Sequence, residues 1–307
     1  MLLLRSFLHP VFPLAAASDG WLYRDLLDWL HPFGQKVPLI YPVTAYLLLF
    51  IQASTLNAFA NERRLYSQSH LLVAFSYLLF ATLLSVWTSF SSTLLVNTIL
   101  VWYWTRLNGI YHKDRIKGDL FNLSFIISIC SFLYFPSILF ILVLFIALLV
   151  YRPFRIAEWI VVIIGMIIPY YFLFVYLYVF GQWGGVQFYF PVVQFHLPAL
   201  PSGIKAWMDL LMVLIPVASG ILYHRDPVRR MLVHNRKTWG LTGFLLVITL
   251  LMVFSVSARA GDSVVFLLMP ISFYAAMYYT ATKSKLFPEL TVWGAFFWIL
   301  IRAFIPG

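Results

Sequence analysis

The chain has 307 residues, of which 62% are hydrophobic and 19% aromatic, while only 10% carry a charge. Water-soluble domains carry about 25% charged residues, so a soluble α/β enzyme, a nucleic-acid reader and a disordered scaffold are excluded. The mean hydropathy of +0.89 belongs to an integral membrane protein, and the net charge of +10 suits short loops beside anionic lipid without any nucleic acid.

In chain order, residues 1–17 do not have the form of a cleavable signal peptide and read as an interfacial or short membrane-entering helix. Around residues 21–30 the apolar positions 21, 22, 26, 29 and 30 recur at helical spacing. This predicts a short amphipathic helix lying on the membrane with Asp25 and Asp28 on its polar face and Asp19 as its N-cap. Apolar runs then fall at 38–60, 71–87, 92–107, 119–134, 136–151, 158–180, 207–223, 239–257, 263–280 and 289–306. The fold class is all-α, a polytopic bundle of about ten spans, or eleven if residues 1–17 also cross. The fourth and fifth runs are short and meet at Pro136, which favours two short helices joined by a break. A single kinked, tilted helix is the alternative. The chain thus divides into an N-terminal segment 1–37, a first block 38–180, a long loop 181–206 and a second block 207–307.

Charge supports this count. Fifteen of the 21 Lys and Arg residues fall in the loops after the first, third, fifth, seventh and ninth runs, and the intervening loops hold almost none. Under the positive-inside rule the five basic loops face the cytoplasm. Residues 18–37 and 181–206 then lie outside.

Candidate chemistry gathers on that outer side. Asp19, Asp25 and Asp28 are carboxylates suited to acid or base work, equally explained by the solubility of an interfacial helix. Arg24 and Arg259 are candidates for holding a lipid phosphate. The 181–206 loop is aromatic, rich in Gly and Pro and almost uncharged, which suits an element dipping into the headgroup layer or plugging a cavity between helices. His196 within it is a fourth candidate acid or base. Asp209 at a helix entry, and Asp262 beside Arg259, extend this polar set, because an acid near membrane depth is costly unless used. On the basic side, Arg152 and Arg155 in YRPFR suit an anionic headgroup, Glu158 favours a helix N-terminus, and Asn57 and Asn61 share a helical face. Midmembrane polarity is confined mainly to Gln52, Thr55 and Asn97, too little for an ion pump or proton relay. GxxxxGK[ST], HExxH, CxxC and GxSxG are all missing, so no cofactor and no metal are expected. The lone Cys130 allows no intrachain disulfide.

The runs LNAFANERRLYSQSHLLVAFSYLLF and KDRIKGDLFNLSFIISICSFLYFPSILFILVLFIALLVYRPFRIAEW resemble an uncharacterised family of polytopic inner-membrane proteins of Bacteroidota, over residues 38–180 and more loosely beyond. The resemblance implies a bacterial cytoplasmic membrane and supplies no catalytic residues. The break at SFLYFPS followed by YRPFR is more faintly similar to multi-span glycosyltransferases using polyprenyl-phosphate sugar donors. Their first-outer-loop acid corresponds in place to Asp19 or Asp25, but their Asp-Glu pair is lacking here. Three functions follow as expectations. The first is an envelope-assembly component binding membrane lipid, a polyprenyl-linked glycan or a membrane or periplasmic partner without catalysis. The second is a polyprenyl-linked glycosyltransferase or polymerase, and the third a lipid or solute transporter. A homodimer is compatible with all three.

Overall fold

The computed structural model describes residues 12–13, 15–16, 19–85, 90–181, 189, 194–195, 203–256, 262–282 and 286–304. The described chain is helical apart from one two-residue antiparallel pairing, Gln194–Phe195 with Ser255–Val256. The helices are α1 (Trp21–Lys36), α2 (Ile40–Glu62), α3 (Leu72–Leu83), α4 (Ser92–Gly109), α5 (Lys117–Leu133), α6 (Phe140–Tyr151), α7 (Ile156–Val179), α8 (Ile204–Tyr223), α9 (Arg225–Arg229), α10 (Val233–Phe254), α11 (Leu268–Ala281) and α12 (Leu286–Phe304).

Each of the ten predicted runs is helical over most of its described residues. Among the described residues, five stretches are long and apolar enough to cross a membrane: Ile40–Glu62, Ile156–Val179, Ile204–Arg229, Val233–Phe254 and Ser263–Ala281. Others are shorter, α3 at 12 residues being an example; at about 1.5 Å per residue it falls short of a hydrocarbon layer about 30 Å thick. The break at Pro136 is a 3-10 turn, Phe135–Leu139, between α5 and α6. Tyr134, which caps this turn, is extended.

One core runs through both predicted blocks. α3 packs on α11, α6 on α10, and α4 on the 3-10 turn Asp262–Leu267 that leads into α11. Close approach is set by small residues. At Gly165 of α7 a Cβ would meet Ser124 Oγ and the Phe121 carbonyl of α5, and at Gly220 of α8 it would meet the Tyr274 backbone carbonyl of α11. Ser128 Oγ donates to Met166 O at 2.8 Å, and Ser131 shares a 2.6 Å hydrogen bond with Tyr170, sealing the α5–α7 contact. Small residues with hydroxyl bridges are how helices associate where the solvent itself is apolar. The outward faces are correspondingly greasy: Ile167 is 55% exposed and Phe172 63% on α7. Such a surface would be a liability in water and is ordinary against lipid.

Among the described residues, the basic loops after the first, third, fifth and seventh runs gather at one end of the bundle. Arg63 lies 3.1 Å from His234 Nε2, Asn235 donates to Arg64 O at 3.1 Å, and Arg152 donates to Lys113 O at 2.5 Å. The opposite end collects the remaining turns. Tyr23 donates to Phe90 O at 3.0 Å, and Arg302 donates to Leu83 O at 2.8 Å and to Ser85 Oγ at 2.7 Å. We call these the basic face and the far face.

Candidate functional site

On the far face, α1 does more than lie on a membrane. Tyr23 is fully buried, and Leu22, Leu26, Leu27 and Leu30 pack against the core. Trp29, expected on the apolar side, is 66% exposed beside Phe33, with ring centroids 5.7 Å apart. That outward pair has the character of an interfacial anchor. The polar face carries Arg24, Asp28 and His31 at i, i+4 and i+7, with Asp25 alongside. These four, with Leu27, Tyr41 and the segment Phe12, Pro13 and Ala15, line a cavity of about 430 Å³. Three predicted residues, Arg24, Asp25 and Asp28, therefore share one concavity. His31 was not singled out in the sequence, although its spacing from Arg24 and Asp28 was the available signal.

Asp19 is elsewhere. It is buried, accepts a hydrogen bond from Ser92 Oγ, and accepts from the Ala16 N–H at 2.6 Å. Its backbone bridges Tyr134, and the Gly20 N–H donates to Leu133 O at 2.9 Å. Asp19 is not the N-cap: Gly20 occupies that position with no side-chain cap. The carboxylate turns to Ser92 because docking on the α5 terminus takes precedence over capping α1.

Asp209 is also engaged. It is paired with Arg302 at 2.8 Å and accepts from Trp298 Nε1 at 2.8 Å. Asp209 thus joins α8 to α12 through Arg302, a residue that no sequence pattern marks as its partner. His196, Arg259 and the side chain of Asp262 lie outside the described residues. In the long loop, Tyr189 packs its ring 5.7 Å from Trp21 and adjoins a cluster of Phe132, Leu173 and Leu177. The rest of that loop, apart from Gly181, Gln194, Phe195 and residues 203–206, lies outside the described residues.

On the basic face, Glu158 occupies the first turn of α7 as expected. It is buried, 3.7 Å from Arg152 Nε and 3.9 Å from Arg155. Its carboxylate thus partly answers the charge that was expected to hold a phosphate. Asn61 exchanges hydrogen bonds with the His70 backbone, and Asn57 accepts from the Ala74 N–H at 3.4 Å, so both asparagines order the α2–α3 turn. In that turn, burial lowers the His70 pKa, and His70 Nδ1 accepts from the Leu72 N–H at 3.4 Å. Burial raises the Tyr66 pKa, keeping the hydroxyl protonated to donate to Phe273 O at 2.8 Å. His234, a residue with no sequence signal of its own, lies beside Arg63 with its ring tilted 32° to that of Tyr111 and their centroids 4.8 Å apart.

Of the polar residues predicted at midmembrane, Gln52 and Asn97 close on one another. Asn97 Nδ2 donates to Gln52 Oε1 at 3.0 Å and to Tyr77 Oη at 2.9 Å, Tyr77 donates to Gln52, and Gln52 Nε2 donates to Thr98 Oγ1 at 2.6 Å. Among the described residues no group of three or more His, Cys, Asp or Glu is placed to hold a metal ion. No protein-family model, curated protein or solved structure matches the chain.

Proposed function

We propose that this chain is a multi-pass protein of a bacterial inner membrane, with the ten helical runs as crossings and the basic loops cytoplasmic. It serves cell-envelope assembly by holding a polyprenyl-linked glycan at its outer face without catalysing a reaction. The observation that carries this is the cavity in which Arg24, Asp25, Asp28 and His31 converge, beside the exposed Trp29–Phe33 pair. A guanidinium and an imidazole suit a phosphate, and carboxylates suit sugar hydroxyls. Aromatic rings at headgroup depth suit the start of an isoprenoid tail. Binding is favoured over catalysis because Asp25 and Asp28 are exposed, whereas a general base for a hydroxyl gains from a desolvated, oriented carboxylate. The buried carboxylate nearby, Asp19, is already engaged by Ser92 and Ala16.

The test is purification of the full chain with its surrounding native lipid, followed by mass spectrometry of the bound lipids. A polyprenyl-linked glycan is expected with the wild type. Charge-assisted hydrogen bonds are worth about 1.5–3 kcal/mol each, so an Arg24→Ala/Asp28→Ala double variant is expected to retain less than about a tenth of it. Equal retention, or none in the wild type, rejects the proposal. Retained lipid with loss of a measurable glycan-transfer activity in the variant would instead support the transferase.

A further inference from the structure

The end of α2 adopts a costly backbone at a residue with a long charged side chain. Arg64 follows the Arg63 cap with φ 51°. Its N–H donates to Asn61 O at 3.1 Å, and the Leu65 N–H donates to Ala60 O at 3.0 Å. This bond pair commonly ends helices at glycine, which takes the left-handed conformation freely, while any residue with a Cβ resists it. Here buried Asn235 reaches across from α10 to fix the Arg64 carbonyl at 3.1 Å. A strained position held by a neighbouring element points to a use for its side chain.

Arg64 lines a cavity of about 910 Å³. The cavity lies on the basic face, where the α2–α3 turn meets the α8–α9 junction, the end of α11 and the start of α12. Arg64 and Arg230 are its cations and Asp226 its carboxylate; Met277 and Phe287 contribute apolar wall. Among the described residues neither guanidinium, nor the Asp226 carboxylate, has an ion pair or side-chain hydrogen bond. The volume is that of a small-molecule site. Two unengaged guanidiniums recognise phosphate oxygens in a fixed fork geometry. Phe287 is 65% exposed and Met277 is buried, so apolar wall runs from the interior out to the surface.

We propose that this cavity binds a phosphate ester, with Arg64 and Arg230 on the phosphate, Asp226 accepting from a hydroxyl or ammonium of the same headgroup, and any acyl or isoprenoid portion against Met277 and Phe287. It lies on the opposite face from the glycan-binding cavity proposed above and stands or falls separately.

The test is calorimetric titration of the purified full chain in an uncharged detergent with dihexanoyl phosphatidate and with inorganic phosphate. Arg64→Gly is the informative variant, because it removes the guanidinium while easing the backbone. It is expected to melt no lower than the wild type and yet to bind phosphatidate at least about tenfold more weakly, the loss of a charge-assisted hydrogen bond. Arg230→Gln is expected to weaken binding similarly. Phosphatidate carries no headgroup hydroxyl or ammonium for Asp226 to accept from, so Asp226→Asn, which removes a like charge beside the phosphate, is expected to tighten binding of this probe, a direction that damage to the fold does not produce. Phosphatidate binding at least about tenfold tighter than phosphate assigns the ester to a membrane lipid. Equal binding assigns it to a soluble phosphate ester, with the phosphate site upheld in both cases. Unchanged affinity in both arginine variants, failure of Asp226→Asn to tighten binding, or no binding of either probe to the wild type overturns the proposal.

Discussion

A carboxylate at a helix entry near membrane depth needs an answering charge, and Asp209 finds it in Arg302 at 2.8 Å, with Trp298 donating to its second oxygen. The same guanidinium ties down the end of α3 through Leu83 O and Ser85 Oγ. Truncating Asp209 leaves a partly buried cation and an indole N–H without their acceptor. Asp209→Ala is therefore expected to lower stability by about 2 kcal/mol, read as a lower melting temperature in detergent. If Asp209 instead works in binding or chemistry, the melting temperature should hold while function falls. Asp19 shows the same limit of reading single residues. Its type and position suited both an N-cap and a base, and neither suggested Ser92, which lies far along the chain and becomes its neighbour only when α1 docks against α4 and α5.

At the scale of helices, close packing in an apolar solvent depends on where backbone meets backbone. Gly220 faces the carbonyl of Tyr274, whereas Gly240 on α10 has nothing within 4 Å of an added Cβ. Gly220→Ala is expected to destabilise by at least about 2 kcal/mol, because a backbone carbonyl cannot rotate away. Gly240→Ala should be neutral or stabilising by up to about 1 kcal/mol through helix propensity. Unfolding in graded denaturing detergent compares the two, and equal effects would mean that α8 and α11 do not meet as described. Helix positions were legible in the sequence because long apolar runs have few other stable forms in lipid. Which glycine sits at a crossing was not, since α7 and α8 expose apolar side chains around most of their circumference and so give no periodic sign of the packed face.

At the scale of the whole molecule, alternating basic and neutral loops predicted two chemically distinct ends, and the contacts Arg63–His234, Asn235–Arg64 and Arg152–Lys113 bring basic loops together at one of them. If the basic face is cytoplasmic, cysteines placed on the two faces should label differently. The wild-type Cys130 is buried, so its background is expected to be low. Gln35→Cys on the far face should react with a membrane-impermeant maleimide in intact spheroplasts, and Ser67→Cys only once the membrane is opened. The reverse pattern would invert the proposed orientation and move the glycan-binding cavity to the wrong side for envelope assembly.

Composition and hydrophobic run length determined the class of this protein: an all-helical chain with an apolar exterior, its basic loops spaced to fall at one end. These properties follow from local chemistry, the cost of an unpaired backbone group in lipid and of a cation within it. Tertiary structure alone decided which polar groups are occupied and which remain open to a ligand. It engaged Asp19 with Ser92 and Asp209 with Arg302, while leaving Asp25 and Asp28 in one cavity and Arg64 and Arg230 in another. The physical reason is that a charge is satisfied by whatever the fold brings within hydrogen-bonding distance, and the partners of Asp19 and Asp209 lie tens of residues away along the chain.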